Sequence, residues 1–188
     1  GRGEIARLSK LIPADAKIMV TYGGGSVRRN GVYDQVTAAL AGRDYIEFWG
    51  IESNPRVETL RKAVAQGKAE GVNFLLAVGG GSVIDGTKLI SAAIASDTDA
   101  WDLVLKGADR GGIPLAAVLT IPATGSEMNS GAVISREETH EKFPFYGRYP
   151  EFSILDPEVV YSIPKRQKAI HRLDKQLYQG GVSFDFTI

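Results

Sequence analysis

Short apolar runs alternate with amphipathic runs along this chain. Lys17–Tyr22 is a β-type run ending in glycines, and Tyr33, Val36, Thr37 and Leu40 follow at helical spacing. Asp44–Trp49 predicts a second strand. Val57, Leu60, Ala63 and Val64 predict a helix that stops before Gly67. Asn73–Val78 reads as a buried strand, Ser82–Ala95 as a helix rich in Ala and Ile, and Pro114–Thr120 as another buried strand. Gly131–Ser135 and Phe152–Leu155 predict two more short strands. Strands and helices alternating at this spacing predict crossover units, hence an α/β fold with a mostly parallel sheet and helices on both faces.

Residues 168–188 follow a different pattern. Lys168–Tyr178 predicts a short helix with Ile170, Leu173 and Leu177 on one face, and Gly180-Gly181 breaks it. Val182–Ile188 then alternates apolar and polar, the pattern of a half-buried strand.

Composition narrows the function classes. The chain has 188 residues, 44% hydrophobic and 23% charged, which suits one folded core. Its 22 Lys and Arg balance 22 Asp and Glu, so bulk charge does not favour nucleic acid. Having no cysteine, it has no disulfide, thiolate metal site or cysteine nucleophile. Val72–Val78 and Ile113–Ala123 are too short or too interrupted to span a bilayer. No basic segment followed by an apolar one opens the chain, so a cytoplasmic location is expected.

The candidate chemistry lies in an internal echo. Tyr22-Gly23-Gly24-Gly25-Ser26-Val27 and Val78-Gly79-Gly80-Gly81-Ser82-Val83 each fall where a strand ends and a helix should begin. Glycine triplets permit positive φ and close approach of a ligand to the backbone, and a following helix presents free N–H groups to an anion. Two tight turns with serine caps would also explain the pattern. Neither triplet is a Gly-x-Gly-x-x-Gly fingerprint. Gly86-Thr87-Lys88 is not a P-loop, because its lysine falls within a helix.

These residues carry a resemblance. Gly79–Lys88 resembles the first signature of the iron-containing (group III) alcohol dehydrogenases, and Leu119–Glu127 resembles the second. Gly131–Ser135, Lys142 and Leu155-Asp156-Pro157 follow in the family's order. The resemblance covers about residues 1–167 and is nearest to the NADPH-dependent butanol dehydrogenase and aldehyde reductase branch. It implies a Rossmann-like dinucleotide-binding domain over 1–167, with 168–188 a tail foreign to the family. Complete members add a helical domain holding iron or zinc, which polarises the oxygen of an alcohol or aldehyde during hydride transfer.

Carried over by position, Gly79, Gly80, Gly81 and Ser82 would wrap the pyrophosphate, with Asp85 near the nicotinamide. Thr120, Thr124 and Asn129 match cofactor-touching positions. Lys142 would reach the ribose and nicotinamide region, and Leu155 and Ser162 the adenosine side. Gly23, Gly24, Gly25 and Ser26 would choose the cofactor. An NAD site usually sets an acid at the ribose 2′-hydroxyl, whereas here Arg28 and Arg29 follow and no acid occurs before Asp34, which favours NADP(H).

The family's two opening strands have no counterpart before Gly1, and Lys168–Asp174 does not match its metal-binding helix. His140 and His171, the only histidines, lack ligand spacing. No metal site is therefore expected in this chain, which would bind cofactor but be incomplete for catalysis. Ser183–Ile188 resembles the family's missing first strand and would complete the sheet, unless the alternation is coincidental. A non-catalytic dinucleotide-binding module and a lyase fragment of the dehydroquinate synthase type stay open as alternatives. The expected partners are a small alcohol or aldehyde, with no nucleic acid or membrane. An apolar face left by a missing domain would favour self-association.

Overall fold

The computed structural model describes residues 1–162. Expectations for the 168–188 tail, including its helix and strand, lie outside the described residues. The chain opens with a 3-10 turn, Glu4–Arg7, and α1, Leu8–Leu11. Then come β1 (Ile18–Tyr22), α2 (Ser26–Arg29), α3 (Val32–Ala39), β2 (Tyr45–Phe48), α4 (Val57–Ala69), β3 (Phe74–Gly80) and α5 (Gly81–Ile94). After α6 (Ala100–Lys106) come β4 (Leu115–Ile121), β5 (Gly131–Arg136), β6 (Glu141–Tyr146) and β7 (Ser153–Leu155).

Five strands form one wholly parallel sheet in the order β2-β1-β3-β4-β7. Its central strands are buried on both faces, so they read as unbroken apolar runs instead of alternating. One face packs on Ile5, Leu8, Val32 and Val36 from the N-terminal turns and α3. The other packs on α4, α5 and α6 through residues such as Leu60, Ile84, Leu89 and Trp101. Among the described residues no helix is long and apolar enough to cross a membrane.

Beyond the N-terminal turns, for which the sequence reading offers no element, the structure departs from it in three places. α4 continues through Gly67 to Ala69, because Gly67 is where α4 meets α5: a Cβ there would lie 2.5 Å from Ile94 Cδ1. α6 is an additional helix, started by Asp99, whose carboxylate accepts the Trp101 amide at 2.9 Å. β6 is an additional strand, antiparallel to β5 in a separate two-stranded sheet. Pro144 in its middle hides it, since proline suits only such an edge.

Gly112 shows how tightly the α5 face closes. A Cβ there would lie 2.7 Å from both Ala92 N and Ser91 C, backbone that cannot give way. Gly112→Ala should therefore cost about 1–3 kcal/mol, seen as a lower urea midpoint. Gly24→Ala, whose Cβ would meet nothing within 4 Å, should leave the midpoint unchanged.

Candidate functional site

In this sheet β2 lies on one side of β1, and β3, β4 and β7 lie on the other. The helices after β1 and after β3 accordingly cover opposite faces. The β1–β3 pair is therefore the topological switch point, where the winding of the sheet reverses and where open α/β sheets hold ligands in a crevice outside the carboxyl ends of the strands. Both glycine triplets sit there, side by side, because Tyr22 and Val78 are in register.

The first triplet follows β1. Gly50 N donates to Gly23 O at 3.3 Å and Ile51 N to Tyr22 O at 3.1 Å, so the loop after β2 pins it. Gly25 alone among the six glycines has positive φ, 93°, and starts α2. Gly24 faces open space and Ser26 is exposed. An aromatic stack supports the loop: Tyr22 and Trp49 rings lie 4.1 Å apart at 16°. Arg28 is not a freely solvated charge, since its guanidinium sits 4.2 Å from the Trp49 centroid and 5.2 Å from that of Tyr33. Glu47 accepts the Trp49 indole N–H at 2.8 Å and draws on the Tyr33 hydroxyl. The Tyr22 hydroxyl is buried without a partner, and burial, then the nearby Glu47 carboxylate, push its pKa well up.

The second triplet does not use positive φ. β3 runs on through Gly80, with an irregular register between Gly79 and Gly80, and α5 begins at Gly81. Its glycines are needed for space. A Cβ on Gly79 would lie 2.6 Å from Val83 Cγ2, and one on Gly81 would lie 2.6 Å from Thr124 Oγ1. Gly80 differs: its nearest neighbour would be Ile121 Cβ at 3.6 Å, an ordinary contact. Gly80 is also the N-cap of α5, and no side chain caps that end, which leaves the first-turn amides to an anion. Ser82 is already used, its hydroxyl donating to the Ser53 carbonyl.

Deeper along α5, three polar side chains tie the helix to its surroundings. Thr87 Oγ1 donates to Val83 O and lies 2.7 Å from Thr21 Oγ1 of β1. Asp85 Oδ2 accepts the Val133 amide at 3.1 Å. Asp85 lies beyond the first turn of α5, so it serves the hairpin and not the helix dipole. Its Oδ1 is buried without a hydrogen-bond partner. Burial raises the Asp85 pKa, opposed by the Ser126 hydroxyl, the Val133 amide and Lys88. Lys88 is fully buried and donates to Gly131 O at 2.6 Å and Asn129 Oδ1 at 3.1 Å. Burial lowers its pKa to about 8, against the pull of Asp85 and Glu127.

Thr120 is buried one residue before the end of β4. Thr124 is exposed, with its hydroxyl 2.7 Å from that of Ser126. The structure thus gathers 23–26, 79–82 and 120–129 along one sheet edge. Lys142 borders them, donating at 3.0 Å to Asn54, next to the Ser53 that Ser82 holds. Leu155 ends β7, with β3 and β4 between it and β1. Ser162 closes a 3-10 turn, Pro157–Ser162. Among the described residues no three His, Asp or Glu side chains converge as metal ligands, so they do not fit a resident iron or zinc. Sequence reasoning missed Lys88, whose signal was a lysine on an otherwise apolar helix. It also missed Trp49 and Glu47, whose signal was a shared face at the end of β2.

The family model for iron-containing alcohol dehydrogenase matches residues 1–157. The chain is 51% identical over 175 residues to the NADPH-dependent aldehyde reductase YqhD of Escherichia coli K12, covering 90% of this chain and 45% of that protein. It is 48% identical over 180 residues to a probable NADH-dependent butanol dehydrogenase of Bacillus subtilis 168, covering 93% and 46%. The crystal structure of E. coli YqhD superposes with a TM-score of 0.90 at 49% identity, covering 94% of this chain and 47% of that one. The NADH-dependent butanol dehydrogenase A of Thermotoga maritima superposes with a TM-score of 0.87 at 39% identity, covering 93% and 46%. The chain therefore spans about half the length of these relatives.

The buried Lys88 makes a pH signature. Its pKa is 10.5 in its ordinary state and about 8 in the fold, so between those values the unfolded chain holds more protons. Stability should rise with pH across that window, by at most about 3 kcal/mol, with no such gain below it. Urea unfolding of Lys88→Met over the same range should lack this rise. An unaltered profile would place the titration on another group.

Proposed function

This chain belongs to the iron-containing alcohol dehydrogenase family, and on that premise we propose that it binds NADP(H) across the β1–β3 crevice. We read it as the cofactor-binding part of an alcohol dehydrogenase or aldehyde reductase. The observation that carries this reading is the Gly80 cradle. It is a side-chain-free position, with room for a Cβ beside Ile121, at the uncapped start of α5 and at the switch point of a parallel sheet. A pyrophosphate there meets the first-turn amides and the positive end of a 14-residue helix.

The other residues then take defined parts. Asp85 Oδ1, buried and unpartnered, is an acceptor for an N–H such as that of the nicotinamide carboxamide. Thr120, Thr124 and Asn129 line the wall from β4. Lys142 approaches from the hairpin, and Leu155 and Ser162 border the adenosine side by the resemblance. When bound, the nicotinamide supplies the hydride donor or acceptor for an alcohol–aldehyde pair. The described residues contribute that carrier's site and no Lewis acid. Metal-dependent, chelator-sensitive aldehyde reduction by the 188-residue chain would refute this division of labour.

The first loop supports a preference for NADPH over NADH. No acid stands at Gly23–Ser26, Glu47 is engaged by Trp49, and Arg28 is held on the aromatic stack beside the loop. A stacked guanidinium keeps its in-plane donors for a 2′-phosphate.

Two substitutions test the reading without disturbing the fold, because each falls where a Cβ has room. Gly80→Ala should leave thermal stability nearly unchanged yet abolish NADPH binding in a fluorescence titration; undiminished affinity would sink the phosphate assignment. In the parent, NADPH should bind about ten- to hundredfold more tightly than NADH, the worth of a charge-assisted contact. Gly24→Asp should narrow or reverse that ratio. Equal parental affinities would mean that the first loop does not recognise the 2′-phosphate.

A further inference from the structure

Lys88 is the one lysine or arginine buried in the described core, with no exposed surface. Its burial opposes its own charge, and two carbonyl hydrogen bonds could be supplied by a neutral amide at lower cost. What an ammonium supplies and an amide does not is polarity without ambiguity, since it donates and never accepts. Its partner Asn129 has a side chain that can be turned over with either end inward, and Lys88 joins two backbone groups in holding it one way.

Asn129 Oδ1 accepts from Lys88 Nζ at 3.1 Å and from Gly131 N at 2.9 Å, so its carbonyl end faces the core. Its Nδ2 donates to Gly125 O at 2.9 Å, which leaves one amide N–H unspent on the side of the Thr124–Ser126 loop. That loop is the one whose Thr124 hydroxyl presses on Gly81 at the start of α5. One turn earlier on α5, Asp85 holds Val133, two residues along β5 from the Gly131 carbonyl that Lys88 holds. The helix that begins in the glycine cradle thus also fixes the wall opposite it.

We propose that Lys88 is a positioning residue for the nicotinamide half of the cofactor site: from the core it clamps the carbonyl end of Asn129, which the Gly131 amide also holds, and anchors the start of β5 through the Gly131 carbonyl. The inference rests on the cofactor reading above and deepens it. It predicts an effect confined to one half of the ligand, since the first glycine loop is stabilised by Tyr22, Trp49 and the loop after β2, none of which Lys88 touches.

The test uses the full chain and two ligands, NADPH and 2′,5′-ADP, which carries the adenosine half alone. Lys88→Met keeps the side-chain volume and removes the donor. It should weaken NADPH about tenfold or more while leaving 2′,5′-ADP within about twofold. Equal NADPH affinity in parent and variant overturns the proposal, as does an equal loss for both ligands, which marks a merely structural lysine. A second measurement needs no variant: the Lys88 Cε resonance of the parent, followed by NMR, should shift on saturation with NADPH and not with 2′,5′-ADP. An unmoved resonance overturns the proposal even where the variant fails to fold. A parent that binds neither ligand overturns the cofactor reading itself and this inference with it.

Discussion

The crowding around the start of α5 is the constraint on which the rest of this molecule depends. Neither Gly79 nor Gly81 has room for a single extra carbon, one against Val83 and the other against Thr124. That closeness draws a helix terminus down onto the ends of β3 and β4 and brings the loop after β4 against it. The same helix is indexed to β1 through Thr87 and Thr21, and to the hairpin through Asp85 and Lys88. Three neighbouring elements take their position from one helix, and the crevice is what remains between them.

The sheet was legible because its central strands are buried on both faces. Continuous apolar runs such as Ile18–Tyr22 and Leu115–Ile121 leave little choice of element, and the alternation with helices leaves little choice of architecture. The hairpin was only half legible. Its β5 strand reads as one, but Phe143-Pro144 in β6 breaks the rule for a strand inside a sheet, and only tertiary context shows that it is an edge. Gly67 misled for the opposite reason: a residue that ends many helices is kept here for the contact with Ile94.

The candidate site divides along the same line. The glycine triplets announced themselves by composition, and the resemblance supplied the loop after β4. Their internal division of labour was hidden, because a Cβ has open space at Gly24 and only an ordinary contact at Gly80, whereas at Gly79 and Gly81 it would collide with the protein's own side chains. Lys88 was hidden more deeply. Nothing in a helical pattern says whether a lysine points to solvent or spends its charge on Asn129 and Gly131. Glu47 was an acid at a strand end, and only the Trp49 indole at 2.8 Å shows that it is already committed.

The openness of Gly24 has a consequence for how such a protein can change over generations. Most positions at the crevice are bound up with packing, so altering them taxes the fold before it alters the ligand. Gly24 is free of that coupling, since a side chain there meets no protein atom within 4 Å. On the proposed role of the first loop, discrimination between two nicotinamide cofactors could therefore drift by single steps at this position without touching the packing of the sheet and its helices. On that reading, lineages that share this scaffold closely need not share a cofactor.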